Sequence, residues 1–240
     1  LDGRKLDEYR DIKVEYDVSE HAEGSAKVKI GDTEVAAGVK LEVGEPYPDG
    51  PDEGTIIVGT ELLPMANPEF ESGPPSVESI ELSRGVDRRL RESGCIDLKK
   101  LCIKKGEKVW IVLIDIYIIN DHGNLQDAAA LASLAALSNT KMPVYDEKEN
   151  KVSYKERRGN FPLVKMPIEC SLGKIGGHII VDPGIEEEGL LDARLTVASI
   201  GKKIHALQKG GSGTLSFDDI DKMLKLAVDK NSENVKVMKK

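Results

Sequence analysis

The stretch Lys108–Asn120 constrains this chain more than any other. From Val109 to Ile119 every residue except Asp115 is apolar. Side chains alternate between the two faces of a strand, so a run without alternation makes both faces apolar and predicts that both are covered. The run is shorter than the ~18 apolar residues of a membrane span and is interrupted by a charge. A buried carboxylate without a partner is costly, so Asp115 is expected to bond to the backbone or to an arginine. A turn over 121–126 leads to a helix over 127–139, to which Leu131, Leu134 and Leu137 give bulk. Its alanines have the best helix propensity and let it approach a sheet closely. Ser138, Asn139 and Pro143 end it.

Strands and two further helices flank this unit. Residues 25–30 run into Gly31-Asp32, a hairpin signal, and on the return strand Val35, Ala37, Val39, Leu41 and Val43 share one face. Residues 55–63 form another strand between Pro- and Gly-rich crossings. Ser76 caps a helix over 76–93, with Ile80, Ser83, Val86 or Asp87, and Leu90 as its inner face. Residues 146–159 read as an exposed charged hairpin, and strands follow over 163–171, 178–182, 194–199 and 203–208. A last helix opens at Ser216 with a capping box to Asp219 and an apolar stripe of Ile220, Met223, Leu224, Ala227 and Val228. Residues 229–240 are expected to fray. Strands and helices in both halves predict an α+β fold of two domains, 1–160 and 161–240.

Composition narrows the function classes. The net charge of −8 excludes a surface coated for nucleic acid but leaves room for a local basic patch. Cys95, Cys102 and Cys170 have neither a disulfide-framework nor a metal-ligand spacing. His21, His122, His178 and His205 accompany no ligand motif, so no metal is expected. Residues 173–177 are neither a dinucleotide fingerprint nor a P-loop, and no cofactor is expected. No signal-peptide pattern opens the sequence, and a cytoplasmic chain is expected.

Arginines are the concentrated cationic feature. Arg84, Arg88 and Arg91 stand at i, i+4 and i+7 of the predicted helix and share a stripe; Arg89, about 100° around, widens it. Guanidinium forks suit phosphate oxygens, and such a stripe can track a single nucleic-acid strand. The competing reading is a solvated face, or salt bridges to Glu81, Asp87 and Glu92. Glu186, Glu187 and Glu188, with Asp192, make an acidic cluster: either a solvated turn or part of a carboxylate site for Mg²⁺ or acid–base work. Asp182, before Pro183-Gly184, reads as a turn former.

Several ordered segments resemble one family. They are Leu1-Asp2-Gly3-Arg4, Ser25-Ala26, Gly31-Asp32-Thr33-Glu34-Val35, Glu61-Leu62-Leu63-Pro64-Met65, Ser72-Gly73-Pro74-Pro75, residues 80–88 and Asp182-Pro183-Gly184. Together they are similar to the RNase PH family, and most to the non-catalytic RNase PH-like subunit of the archaeal exosome. The resemblance spans the chain. It implies an RNase PH-like two-domain fold whose larger domain is like domain 2 of ribosomal protein S5, and a helix ahead of Asp2-Gly3-Arg4, outside the given residues. It also implies an alternating hexameric ring with a catalytic RNase PH-like exosome subunit, RNA-binding cap subunits, and single-stranded RNA as ligand.

Active members of that family degrade RNA from its 3′ end with inorganic phosphate, held in a loop of the form Asp-Gly-Gly-Thr-Arg. The matching residues, 122–126, place Leu125 and Gln126 where that loop has a hydroxyl and an arginine. Charged hydrogen bonds of ~1.5–3 kcal/mol each are thereby lost. The family's catalytic acid matches Asp192. The resemblance therefore implies a non-catalytic subunit, with Leu125, Gln126 and Asp192 marking a degenerate site. Arg84, Arg88 and Arg91 would then grip RNA in a cleft shared with the active neighbour. Two alternatives stay open: a divergent 3′-to-5′ exoribonuclease using Asp192 and a metal, and a purely structural ring scaffold.

Overall fold

The computed structural model describes residues 2–238. Strands β1 (Ile12–Tyr16), β2 (Gly24–Ile30), β3 (Thr33–Gly44) and β4 (Thr55–Leu62) precede helix α1 (Val77–Ser93). After a 3-10 turn at Leu98–Leu101 come β5 (Cys102–Lys104), β6 (Lys108–Asn120), α2 (Leu125–Asn139), β7 (Lys141–Asp146) and β8 (Lys151–Asn160). Then β9 (Ile168–Ile175), β10 (His178–Val181), the one-turn α3 (Ile185–Glu188), β11 (Ala193–Ile200), β12 (Lys203–Gly210) and α4 (Phe217–Asn234) complete an α+β fold of two domains.

The first sheet runs β1-β2-β3-β6-β4, with β5 paired to the start of β6. Only β4 lies parallel to its neighbour, β6. The Gly31-Asp32 hairpin forms, with Gly31 in the left-handed region at φ 57°. On β3 Val35, Ala37, Val39 and Leu41 are buried on one face, as their alternation predicts. Against β2 and β3 lies α2, whose other sides meet β9 and α1. That enclosure is why a helix apolar nearly all round is stable here. Gly24 admits its C-terminal end: a Cβ there would sit 2.3 Å from Thr140 Oγ1 and 2.4 Å from the Ala136 carbonyl oxygen.

The second sheet, β10-β9-β11-β12, is antiparallel throughout. Met223 and Ala227 of α4 pack on Cys170, Leu172 and Val197 to make its core. Between the two sheets α1 touches β4 on one side and β12 on the other. The β7–β8 hairpin stands apart as a two-stranded unit.

Packing corrects several sequence expectations. On β6 Val112, Ile114, Ile116 and Ile118 are buried, but the other face is only half covered and Tyr117 is exposed. Asp115 lies on that open face and makes neither of the bonds expected of it among the described residues; left in solvent, it needs none. Double coverage turns the inner face of α1 toward Leu82, Val86, Arg89 and Leu90, leaving Ile80 45% exposed. Helix α2 starts at Leu125, ahead of the expected 127, and β9 starts at Ile168, well after the expected 163.

The expected fraying after 229 is also overturned. Asn231 is buried and donates to the Val197 carbonyl at 3.1 Å and to Ser199 Oγ at 2.9 Å. Buried Met238 accepts from the Tyr16 hydroxyl through its carbonyl at 3.0 Å. Residues 239–240 of that stretch lie outside the described residues.

Candidate functional site

Ser76 starts α1 by accepting from the Ser79 amide, and left-handed Gly94 closes it. The helix is thus fixed at both ends, and its arginines are sorted by which side they face. Arg84 and Arg88 are exposed, and neither bonds to any acceptor among the described residues. Arg88 borders a narrow crevice where α1 meets Thr196 of β11 and Gln208 of β12. Arg91 is engaged: its Nε donates to both oxygens of Asp87, at 2.8 and 2.9 Å, and Nη2 donates to the Ile56 carbonyl. Of the salt bridges weighed from sequence, only Arg91–Asp87 is present among the described residues.

Arg89 does not extend the stripe. It is buried and paired with buried Glu169 of β9. Burial holds the Arg89 guanidinium below its ordinary value and pushes the Glu169 carboxyl well above its own, with their mutual attraction opposing both effects. Sequence spacing saw the guanidinium but not the strand that covers it.

The start of α2 is the second feature. Asn124 caps the helix from the left-handed region (φ 56°), accepting from the Asp127 amide. Its side-chain amide donates to Asp127 Oδ2 at 2.9 Å and Asp182 Oδ1 at 2.7 Å. Gly123, at φ +85°, has no room for a side chain: a Cβ would lie 2.4 Å from the Ile185 nitrogen. Leu125 is half-buried. Gln126 is only 7% exposed, and its Oε1 accepts from Arg89 Nη2 at 3.2 Å.

Acids close around this turn. Asp182 is fully buried and receives Arg10 Nη2 at 2.8 Å, Arg10 Nε at 2.9 Å and Arg4 Nη1 at 3.2 Å. It is the anion of a network joining the N-terminal segment to both domains, more than the turn former read from sequence. Asp127 is buried as well and accepts from the Tyr9 hydroxyl and from the amide and hydroxyl of Ser171. Burial raises its carboxyl, and those hydrogen bonds partly oppose the rise. Arg4 and Arg10 were missed as anchors, because a contact across so much sequence has no local spacing.

The acidic run 186–188 is not simply a solvated turn. Glu187 accepts from the Gly184 amide at 2.8 Å and meets Arg4 at 3.4 Å. Glu188 accepts from the Asn124 amide at 3.1 Å, with Arg194 at 3.8 Å. Asp192 lies elsewhere: it is exposed, and its Oδ2 accepts from the Gly176 amide at 3.0 Å. Between α1 and α3 opens a cleft of about 590 Å³. Leu125 and Gln126 line it together with Glu69, Glu78, Glu81, Asp121, Glu188 and Arg194, whereas Asp192 does not. Five carboxylates against one guanidinium disfavour a free phosphate there.

The comparisons with known proteins match this architecture. Residues 8–143 match the model of the 3′ exoribonuclease (RNase PH) family, domain 1, and residues 165–230 match domain 2. The chain belongs to the RNase PH family. The β7–β8 hairpin falls largely between the two matches. Exosome complex component Rrp42 of Methanothermobacter thermautotrophicus is 46% identical over 242 residues, covering 100% of this chain and 89% of that protein. The protein of that name from Methanocella arvoryzae is 49% identical, over 95% of this chain and 86% of its own length.

A chain of the Archaeoglobus fulgidus exosome with RNA bound to the active site superposes with a TM-score of 0.93 at 44% identity. It covers 100% of this chain and 92% of that one. The RNase PH fold extends to rice Rrp46, at TM-score 0.75 and 19% identity, over 99% of this chain and 97% of that one. No described helix of this RNase PH chain is long and apolar enough to cross a membrane.

Proposed function

We propose that this chain is a non-catalytic, RNA-binding ring subunit of an exosome, supporting the 3′-to-5′ phosphorolytic activity of a catalytic neighbour. In this reading it alternates with a catalytic RNase PH-like subunit in a six-membered cytoplasmic ring carrying RNA-binding cap subunits. The relatives named as exosome components and the RNA-bound exosome structure support the assembly.

The observation that carries the non-catalytic part is the direction of Gln126. A phosphate loop needs a cation aimed at the anion. Here that position holds a neutral amide, buried and bonded to Arg89, while Leu125 offers no hydroxyl. Arg84 and Arg88 supply the RNA grip: exposed, unpaired among the described residues, and one turn apart on α1. Arg91 lies on the same stripe, but its bonds to Asp87 and Ile56 make it the weaker contributor. A divergent nuclease using Asp192 is disfavoured, because that carboxylate holds the Gly176 amide and stands outside the cleft.

The test is the salt dependence of single-stranded RNA binding by the reconstituted ring carrying Arg84→Glu and Arg88→Glu. Losing two phosphate contacts should lower the slope of log affinity against log salt by about 1.4. An unchanged slope removes these residues from the RNA path. A ring that falls apart favours the scaffold reading.

A further inference from the structure

The chain carries 42 acidic residues among 240, yet the 25 residues from Ala193 to Phe217 contain none. Arg194, Lys202, Lys203, His205 and Lys209 fall within that stretch, all but the first on β12 or in the turn before it. Lys203 opens the strand and Lys209 stands next to its end, a separation of about 20 Å at ~3.3 Å per residue. Lys202, Lys203 and Lys209 are exposed. None of the three meets a carboxylate among the described residues, and Lys209 donates to the Gly211 carbonyl.

Strand β12 is also an edge. It pairs with β11 alone, so the backbone groups along its other side are open. A bulge opposite Ala198 and Ser199 leaves His205 without a residue across from it, and Leu207 is 48% exposed. Charges on an edge can serve simply to keep it from pairing with another chain. What sets this edge apart is its neighbour. Arg88 of α1 borders the same narrow crevice as Ala206, Leu207 and Gln208, and no carboxylate lines it. The cations of α1 therefore continue into an acid-free strand. A row of cations beside open backbone groups suits a flexible polyanion, because phosphates are held there by charge and not by one fixed geometry. We propose that β12 is a second track for single-stranded RNA, on which Lys203 and Lys209 hold phosphates of the same strand that Arg84 and Arg88 grip. This track rests on the RNA-binding reading of those two arginines and adds where the RNA runs beyond them.

The experiment uses the reconstituted ring of this chain and its catalytic neighbour, without cap subunits, and a single-stranded RNA long enough to cover both α1 and β12. Affinity is measured across a range of salt for wild type and for Lys203→Gln with Lys209→Gln. The control is Lys151→Gln with Lys155→Gln, two exposed lysines of β8, which changes the net charge equally. Losing two phosphate contacts should lower the slope of log affinity against log salt by about 1.4 for a single strand, and the control should leave it unchanged. An unchanged slope in the β12 variant overturns the proposal. An equal fall in the control overturns it too, because the effect would then be one of overall charge. A β12 variant whose ring comes apart on size-exclusion chromatography makes this edge a contact with an acidic subunit surface, and likewise overturns it. Arg84→Glu with Arg88→Glu is titrated alongside. If its slope falls while that of the β12 variant does not, the track alone fails; the reverse pattern overturns the arginine reading and leaves the β12 contact standing.

Discussion

Arg89 of α1 and Glu169 of β9 form an ion pair sealed between the two domains, with side chains 7% and 2% exposed. Gln126 adds a hydrogen bond to the same guanidinium, so the residue proposed to mark a degenerate phosphate loop also belongs to the domain junction. Removing one member of a buried pair leaves the other charge uncompensated, at a cost of about 3–5 kcal/mol. Arg89→Met should lower the unfolding free energy in urea by that amount, and Arg89→Met with Glu169→Leu should recover most of it. A single-variant loss under about 1 kcal/mol would mean that the pair behaves as an exposed one.

The three arginines of the stripe should separate by phenotype. Arg91 bonds to Asp87 and to the Ile56 carbonyl on β4, so Arg91→Ala should cost about 0.5–1.5 kcal/mol of stability and little RNA affinity. Arg84→Ala and Arg88→Ala touch no internal bond and should do the reverse, each weakening RNA binding by the ring with stability within about 0.5 kcal/mol. Denaturation and binding curves on the same preparations check this. Equal RNA losses for all three would return Arg91 to the RNA face.

These differences show how far the chain is legible from sequence. The stripe of Arg84 and Arg88 is visible because helical spacing alone creates it, and the alanine helix because its composition leaves few alternatives. Arg89 misleads: a face centred on Ile80 puts it in solvent, whereas cover from both β4 and β12 turns it inward. Asn231 misleads likewise, since residues after 229 read as a fraying tail until β11 supplies the Val197 carbonyl and the Ser199 hydroxyl as acceptors. The open second face of β6 is a third case: an apolar run says that a face wants cover, not what covers it. The anchors Arg4 and Arg10 and the arrival of Glu188 at Asn124 join segments far apart in sequence, and no local period records them.

Glu188 predicts a pH dependence with a definite sign. Burial raises its carboxyl, with Asn124 and Arg194 partly opposing and Asp121 reinforcing. A carboxyl raised in the folded state contributes stability while protonated and loses it as pH climbs through the folded value. Glu188→Gln, permanently neutral, should match wild type below the ordinary glutamate value of about 4.3 and gain on it as pH rises to neutrality. Melting curves of both proteins across that window measure it. A difference that shrinks with rising pH contradicts the assignment.

Asp192 should behave as a turn anchor. Its carboxylate accepts from Gly176 at the β9–β10 turn, and its carbonyl accepts from Gly213 at 2.8 Å. Asp192→Ala removes the first bond only, at about 0.5–1.5 kcal/mol, and should leave RNA degradation by the assembled ring within about twofold, the size of a small energetic change. A loss of activity of a hundredfold or more would place Asp192 in the chemistry.

The most direct measurement is RNA degradation with and without inorganic phosphate, by the purified chain alone, by its catalytic neighbour alone, and by the two reconstituted together. A non-catalytic subunit should show no phosphate-dependent release of nucleoside diphosphates by this chain, and faster release by the pair than by the neighbour alone. Release by the chain alone at the rate of the pair would contradict it.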